Sequence, residues 1–257
     1  MSAEKVTRRH LPHWYMPNAA HFITYRLAGT IPQAVLLDLR HQRDLKLRTS
    51  PLAGPERAPY RERVHKQFFV AYDRVLDENR EISFLADRNV AGVLRDNLYH
   101  HRETKYHLFA YCIMPNHVHV LLQPIDVRPA GSLPHVGQAI LPGTSGPPKL
   151  RQAGSLSHEP DERPDKSSPL AKIMHSLKSY TANEANQILN RRGETFWQSE
   201  SYDHWVRDDE ELERIVEYIA FNPVKAGLAC APHDWEFCSA YDRFKDDGEQ
   251  TGWLRQP

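Results

Sequence analysis

The sequence predicts an α+β protein, a sheet with helices packed mainly on one face. Two stretches rich in β-formers, residues 21–27 and 111–122, are separated by three segments whose apolar residues recur at helical spacing. The second stretch is interrupted by Pro115-Asn116, so it reads as strand, short break, strand. At 257 residues, with 40% hydrophobic and 10% aromatic residues, the chain is long enough to bury a sizeable core in one or two domains.

Composition narrows the class further. Lysine plus arginine and aspartate plus glutamate balance at 33 each, so no overall positive field announces a nucleic-acid partner and any basic surface has to be local. The longest apolar run, residues 108–114, is far short of a membrane span. Residues 1–9 are charged and precede no apolar stretch, which argues against a secretory signal and for a cytoplasmic protein. Cys112, Cys230 and Cys238 are odd in number and widely spaced, which argues against a disulfide framework or a cysteine-based zinc site.

Taken in order, Arg8-Arg9-His10-Leu11-Pro12-His13-Trp14 forms a basic, aromatic arm, and residues 21–27 form the first strand. After a turn at 29–32, leucines at 36, 39 and 47, with Val35 and Leu45, predict a helix over 34–47; residues 60–76 and 89–101 predict two more. Prolines and glycines with few large apolar residues mark 125–168 as a flexible insertion, so one domain over 8–257 is interrupted there. Within it Ala130-Gly131-Ser132-Leu133-Pro134-His135 recurs as Ala153-Gly154-Ser155-Leu156-Ser157-His158, a local duplication.

Ser168-Pro169 is a helix start and Gly193 a stop. Between them Leu170, Met174, Leu177, Thr181, Ala185 and Ile188 make an apolar stripe beside a polar one of Ser176, Tyr180, Asn183, Glu184 and Gln187. Asp208 and Glu211 fit a capping box for a helix carrying Leu212, Ile215, Val216 and Ile219, and Asn222-Pro223 is expected to end it.

The chemistry-bearing residues sit on these elements. His117 and His119, two apart on a strand, emerge on one face roughly 6 to 7 Å apart and could share a divalent ion; a hydrogen-bonded structural pair is the other reading. Tyr180 and Glu184, four apart on a helix, put a phenol beside a carboxylate, unless Tyr180 is a boundary residue with a wet hydroxyl.

Met114-Pro115-Asn116-His117-Val118-His119, Ser176-Leu177-Lys178-Ser179-Tyr180-Thr181-Ala182, Phe196-Trp197-Gln198, Asp203-His204-Trp205-Val206-Arg207 and residues 218–228, from Tyr218 through Asn222-Pro223-Val224-Lys225-Ala226-Gly227, stand in that order. Together they resemble the REP-associated tyrosine transposases of the single-tyrosine HUH superfamily, and the likeness covers nearly all of the chain outside the insertion. The resemblance implies a ferredoxin-like antiparallel sheet, His117 and His119 as metal ligands, and Tyr180 as nucleophile. Superfamily members often place an amide one turn after the tyrosine; Glu184 stands there, so Glu184 is the expected third ligand and Asn183 the reserve.

The side chains suit that chemistry. A free phenol is about one part in a thousand ionised at neutral pH, so it needs a metal to help it attack a phosphodiester. Imidazoles with a carboxylate suit Mg²⁺ or Mn²⁺. Arg8, Arg9, Lys178, His204, Arg207 and Lys225 are candidate DNA contacts, while Trp14, Trp197 and Trp205 either stack on unpaired bases or belong to the core. The expected activity is metal-dependent nicking and strand transfer on single-stranded or hairpin DNA by a monomer or homodimer. The alternative is a hairpin-binding protein without turnover.

Overall fold

The computed structural model describes residues 16–125 and 168–247. Arg8, Arg9 and Trp14 of the expected arm, and residues 126–167 of the expected insertion, lie outside the described residues. The elements are β1 (His21–Arg26), α1 (Gln33–Thr49), α2 (Arg57–Glu78), α3 (Arg88–His100), β2 (Tyr106–Ile113), β3 (His117–Pro124), α4 (Pro169–Ile188), β4 (Tyr202–Trp205), α5 (Asp209–Lys225) and α6 (Ser239–Asp247). The sheet runs β2-β3-β1-β4, with each neighbouring pair antiparallel. The connectivity is a split β-α-β pattern with three helices in the first crossover. The expected α+β class with its antiparallel sheet is what forms.

Helices cover both faces rather than mainly one. Ile23, Tyr25, Val118 and Val120 pack under α3 and α4 through Leu94, Leu98, Ile173 and Leu177. On the other face Phe22, Ala110, Cys112 and Leu121 meet Phe68, Tyr72 and Leu76 of α2 and Leu212 and Ile219 of α5. The reason lies in the strands themselves. All six residues of β1 are buried, as are all of β3 except Gln123. A strand apolar on both sides needs cover on both.

Pro115 and Asn116 lie in the reversal between β2 and β3, which the Met114 N–H closes by donating to the His117 carbonyl at 2.9 Å. The irregularity itself sits in β2, where the register shifts between Leu108 and Ala110. Ser168 caps α4 by accepting from the Ala171 N–H at 3.2 Å.

At α5 Asp208 accepts from the Glu211 N–H at 2.7 Å, as the capping box requires. Glu211 does not reciprocate; it accepts from the Arg207 N–H at 3.1 Å and faces His204 Nε2 at 3.1 Å. Pro223 does not end the helix, which runs on to Lys225. Proline deprives only the Ile219 carbonyl of its N–H partner. That carbonyl faces the Cys238 thiol at 4.0 Å, and the Ala226 N–H still donates to Asn222 O at 3.0 Å. The extra half turn carries Lys225, seven residues from Tyr218 and therefore on the same side of α5.

Candidate metal centre

Alternation along β3 places Val118 and Val120 under α4 and turns His117 and His119 toward α2 and α5. There the two Nε2 atoms lie 3.0 Å apart. Asp73 joins them from α2. It sits on the sheet-facing side of that helix beside Tyr72 and Leu76, and its Oδ1 is 3.4 Å from His119 Nε2. The ligand-capable atoms of Asp73, His117 and His119 all fall within 4.8 Å of one another, and none of the three side chains is more than 1% exposed.

Each ligand atom is aimed by a partner behind it. His117 Nδ1 contacts Asn116 Oδ1 at 2.6 Å, and His119 Nδ1 contacts Thr24 Oγ1 at 2.8 Å across the β1–β3 pair. The Tyr218 hydroxyl and the Lys225 ammonium donate to Asp73 Oδ2 at 2.6 and 2.8 Å, and Lys225 also lies 3.2 Å from Asp77 Oδ2. Three aromatic rings surround His119: Phe22 stacks on it at 5.7 Å, and Tyr218 and Phe69 meet it edge-on at 5.5 and 6.4 Å.

The charges follow from these neighbours. Burial opposes the negative form of Asp73, but His119, His117 and Lys225 outweigh it and hold the carboxyl well below the usual range. Burial, with His119 beside it, pushes His117 far below its ordinary value. Burial lowers the affinity of Lys225 for its proton, yet Asp73 and Asp77 raise it by more. At neutral pH the centre therefore presents a carboxylate and at least one neutral imidazole.

These residues fit a divalent cation. Asp73 Oδ1 is a buried carboxylate oxygen with no hydrogen-bond partner, because its approach to His119 is not aligned as a hydrogen bond. An anionic oxygen and two imidazole nitrogens form a donor set suited to Mn²⁺ and, less well, Mg²⁺.

The carboxylate beside the histidines is thus Asp73, not Glu184 or the reserve Asn183. Helix α4 covers the opposite face of the sheet, so its residues stand behind the strand rather than before the histidines. Glu184 accepts instead from Gln187 Nε2 at 3.5 Å, and Asn183 is exposed. Tyr180, on the same helix, is 50% exposed. Sequence reasoning missed Asp73, although a carboxylate beside the apolar stripe of an amphipathic helix was a usable signal. It also missed Thr24 and Tyr218, whose roles arise only from cross-strand register and tertiary packing.

Among the described residues, the expected DNA contacts are engaged within the chain. Trp197 belongs to the core at 7% exposure, packed on Tyr25 with its indole N–H donated to Thr181 Oγ1 at 3.0 Å, so it offers no stacking face. Lys178 donates to Gln198 O at 2.9 Å. His204 faces Glu211, and Arg207 pairs with Glu62 while lying over the Trp205 ring at 5.7 Å. Lys225 reaches inward to Asp73 although half of its side chain is exposed. No described helix is long and apolar enough to cross a membrane.

No family model matches the chain. Over 61 residues, 24% of this chain, it is 33% identical to a curated Haemophilus influenzae protein named "Putative REP-associated tyrosine transposase". That match spans 35% of the relative's length. Among solved structures it is similar to a REP-associated tyrosine transposase bound to a REP hairpin, at 15% identity and a TM-score of 0.46, with 95% of this chain and 89% of the other covered. The chain therefore resembles this family in a curated sequence as well as in its ordered motifs.

Proposed function

We propose that the chain is a metal-dependent endonuclease and strand transferase of the HUH type, acting on single-stranded DNA that carries a hairpin or palindromic repeat. The buried Asp73–His117–His119 centre carries this reading, and the split β-α-β sheet that presents it supports the ferredoxin-like expectation. A divalent ion bound there would act as a Lewis acid toward a phosphodiester oxygen. The chain's own residues do the rest. Asp73 and the two imidazoles would hold the ion, Thr24 and Asn116 fix the rings, and the half-exposed Tyr180 phenol is the group able to attack phosphorus. Attack forms an ester between Tyr180 Oη and the 5′-phosphate, breaks the P–O3′ bond, and passes the phenol proton to the leaving oxygen, which departs as a 3′-hydroxyl.

A second reading, a hairpin-binding protein without turnover, is favoured by two observations. The ligands are at most 1% exposed, and Tyr180 stands on the helix covering the opposite face. Hairpin-bearing single-stranded DNA incubated with Mg²⁺ or Mn²⁺ separates the two. The nicking enzyme gives a protein–DNA adduct that survives denaturing electrophoresis, and Tyr180→Phe abolishes the adduct while still binding the hairpin. A wild-type protein that binds hairpins and forms no adduct with either ion establishes the second reading.

A further inference from the structure

Asn116 is the polar side chain of the His117–His119 hairpin whose every hydrogen-bonding direction is fixed by the fold. It is 2% exposed. Its Nδ2 donates to Leu76 O at 2.9 Å and to Asn79 O at 2.7 Å, the final carbonyls of α2 and its C-cap. Two carbonyls cannot donate, so the amide nitrogen must face them and Oδ1 must face the other way. That oxygen lies 2.6 Å from His117 Nδ1. An amide oxygen only accepts, so the proton of a neutral His117 sits on Nδ1 and Nε2 is left as a lone pair.

Thr24 behaves differently toward His119. A hydroxyl rotates and can donate or accept, so it suits either tautomer of His119. Without an ion, His119 Nε2–H can donate into the His117 lone pair 3.0 Å away; with one, Nδ1–H can donate to Thr24 and free a second lone pair. Thr24 adapts, whereas Asn116 does not.

We propose that Asn116 is a positioning residue of the metal centre, locking His117 in the Nδ1–H tautomer and tying the histidine hairpin to the helix that carries Asp73. Its two amide hydrogens hold the C-terminal end of α2, one turn beyond Asp73, while its oxygen sets the ring of His117. One side chain thereby joins both sources of ligand. This role rests on the metal reading for its purpose but not for its test, because the tautomer can be read in the metal-free protein.

Long-range proton–nitrogen correlation on metal-free, ¹⁵N-labelled protein near neutral pH reports which ring nitrogen of His117 carries the proton. Wild type shows Nδ1–H. Asn116→Ala loses that fixed tautomer and, with far-UV circular dichroism unchanged, binds Mn²⁺ on the order of 10- to 100-fold more weakly in titration calorimetry, the usual effect of removing such an outer partner. Asn116→Asp keeps an acceptor for Nδ1–H and so keeps the tautomer, but it loses both amide donors to α2 and binds Mn²⁺ more weakly than wild type. Nε2–H in the wild type, or wild-type Mn²⁺ affinity in a folded Asn116→Ala protein, overturns the proposal. If Asn116→Ala does not fold, the His117 tautomers of the wild type and of Asn116→Asp decide it, Nε2–H in either overturning the proposal. Wild-type protein with Nδ1–H that takes up no divalent ion overturns the metal reading while supporting the orientation by Asn116.

Discussion

Asp73 shows how much a site can turn on one side chain the sequence does not advertise. The His-x-His spacing was legible because strand alternation is local, and it correctly put both rings on one side of β3. Helical spacing points to Glu184, one turn from Tyr180, for the carboxylate. It comes instead from a residue 44 positions before His117, through packing that no local pattern encodes. The two candidates are separable by substitution. Asp73→Asn keeps the shape and removes the charge, and should weaken Mn²⁺ binding by at least about tenfold, since a neutral amide oxygen replaces the anionic ligand. Glu184→Ala should leave affinity within about twofold. The reverse pattern in titration calorimetry would return the third ligand to α4 and require that helix to sit differently when metal is bound.

At the scale of elements, local signals placed the helices well and their surroundings less well. The helices expected at 34–47, 60–76 and 89–101 form as α1, α2 and α3 with ends moved by one to three residues, because apolar spacing and flanking breakers are properties of the segment itself. Two expectations failed where distant groups intervene. Pro223 stays within α5, its missing hydrogen bond facing the Cys238 thiol just before α6. The sheet is covered on both faces because β1 carries apolar residues on both sides, Phe22 on one and Ile23 and Tyr25 on the other, rather than a clean alternation. The α4 start offers a clean test of the local part. Ser168 is 6% exposed and caps the Ala171 N–H, so Ser168→Ala should lower stability by about 1 kcal/mol in urea denaturation. No loss would mean that α4 is held by packing through its own Leu170, Ile173 and Leu177 alone.

For the molecule as a whole, acid should act in two windows set by different groups. His65, partly buried on α2, is pushed down to about 4 by burial and by the nearby Arg43 and Arg61 guanidinium groups. Its folded pKa lies below the unfolded value, so the unfolded chain binds the proton first. Stability from this residue is full above about 6.5 and is lost as pH falls toward about 4. A difference of that size bounds the loss near 3 kcal/mol, and partial exposure reduces it to roughly 1 to 2 kcal/mol. Glu211 supplies the second window. Burial would raise its pKa, but His204 and Arg207 outweigh burial and hold it at about 2. Its contribution is present above about 4.5 and disappears as pH falls toward about 2. Urea midpoints measured from neutral pH downward should therefore fall first between about 6.5 and 4, then further below about 4.5. His65→Gln should shrink the first decline without removing it, because glutamine cannot titrate whereas buried His117 and His21 still must charge, and should leave the second, which belongs to Glu211. An equal decline in the variant would assign the upper window to other histidines and remove His65 from the account.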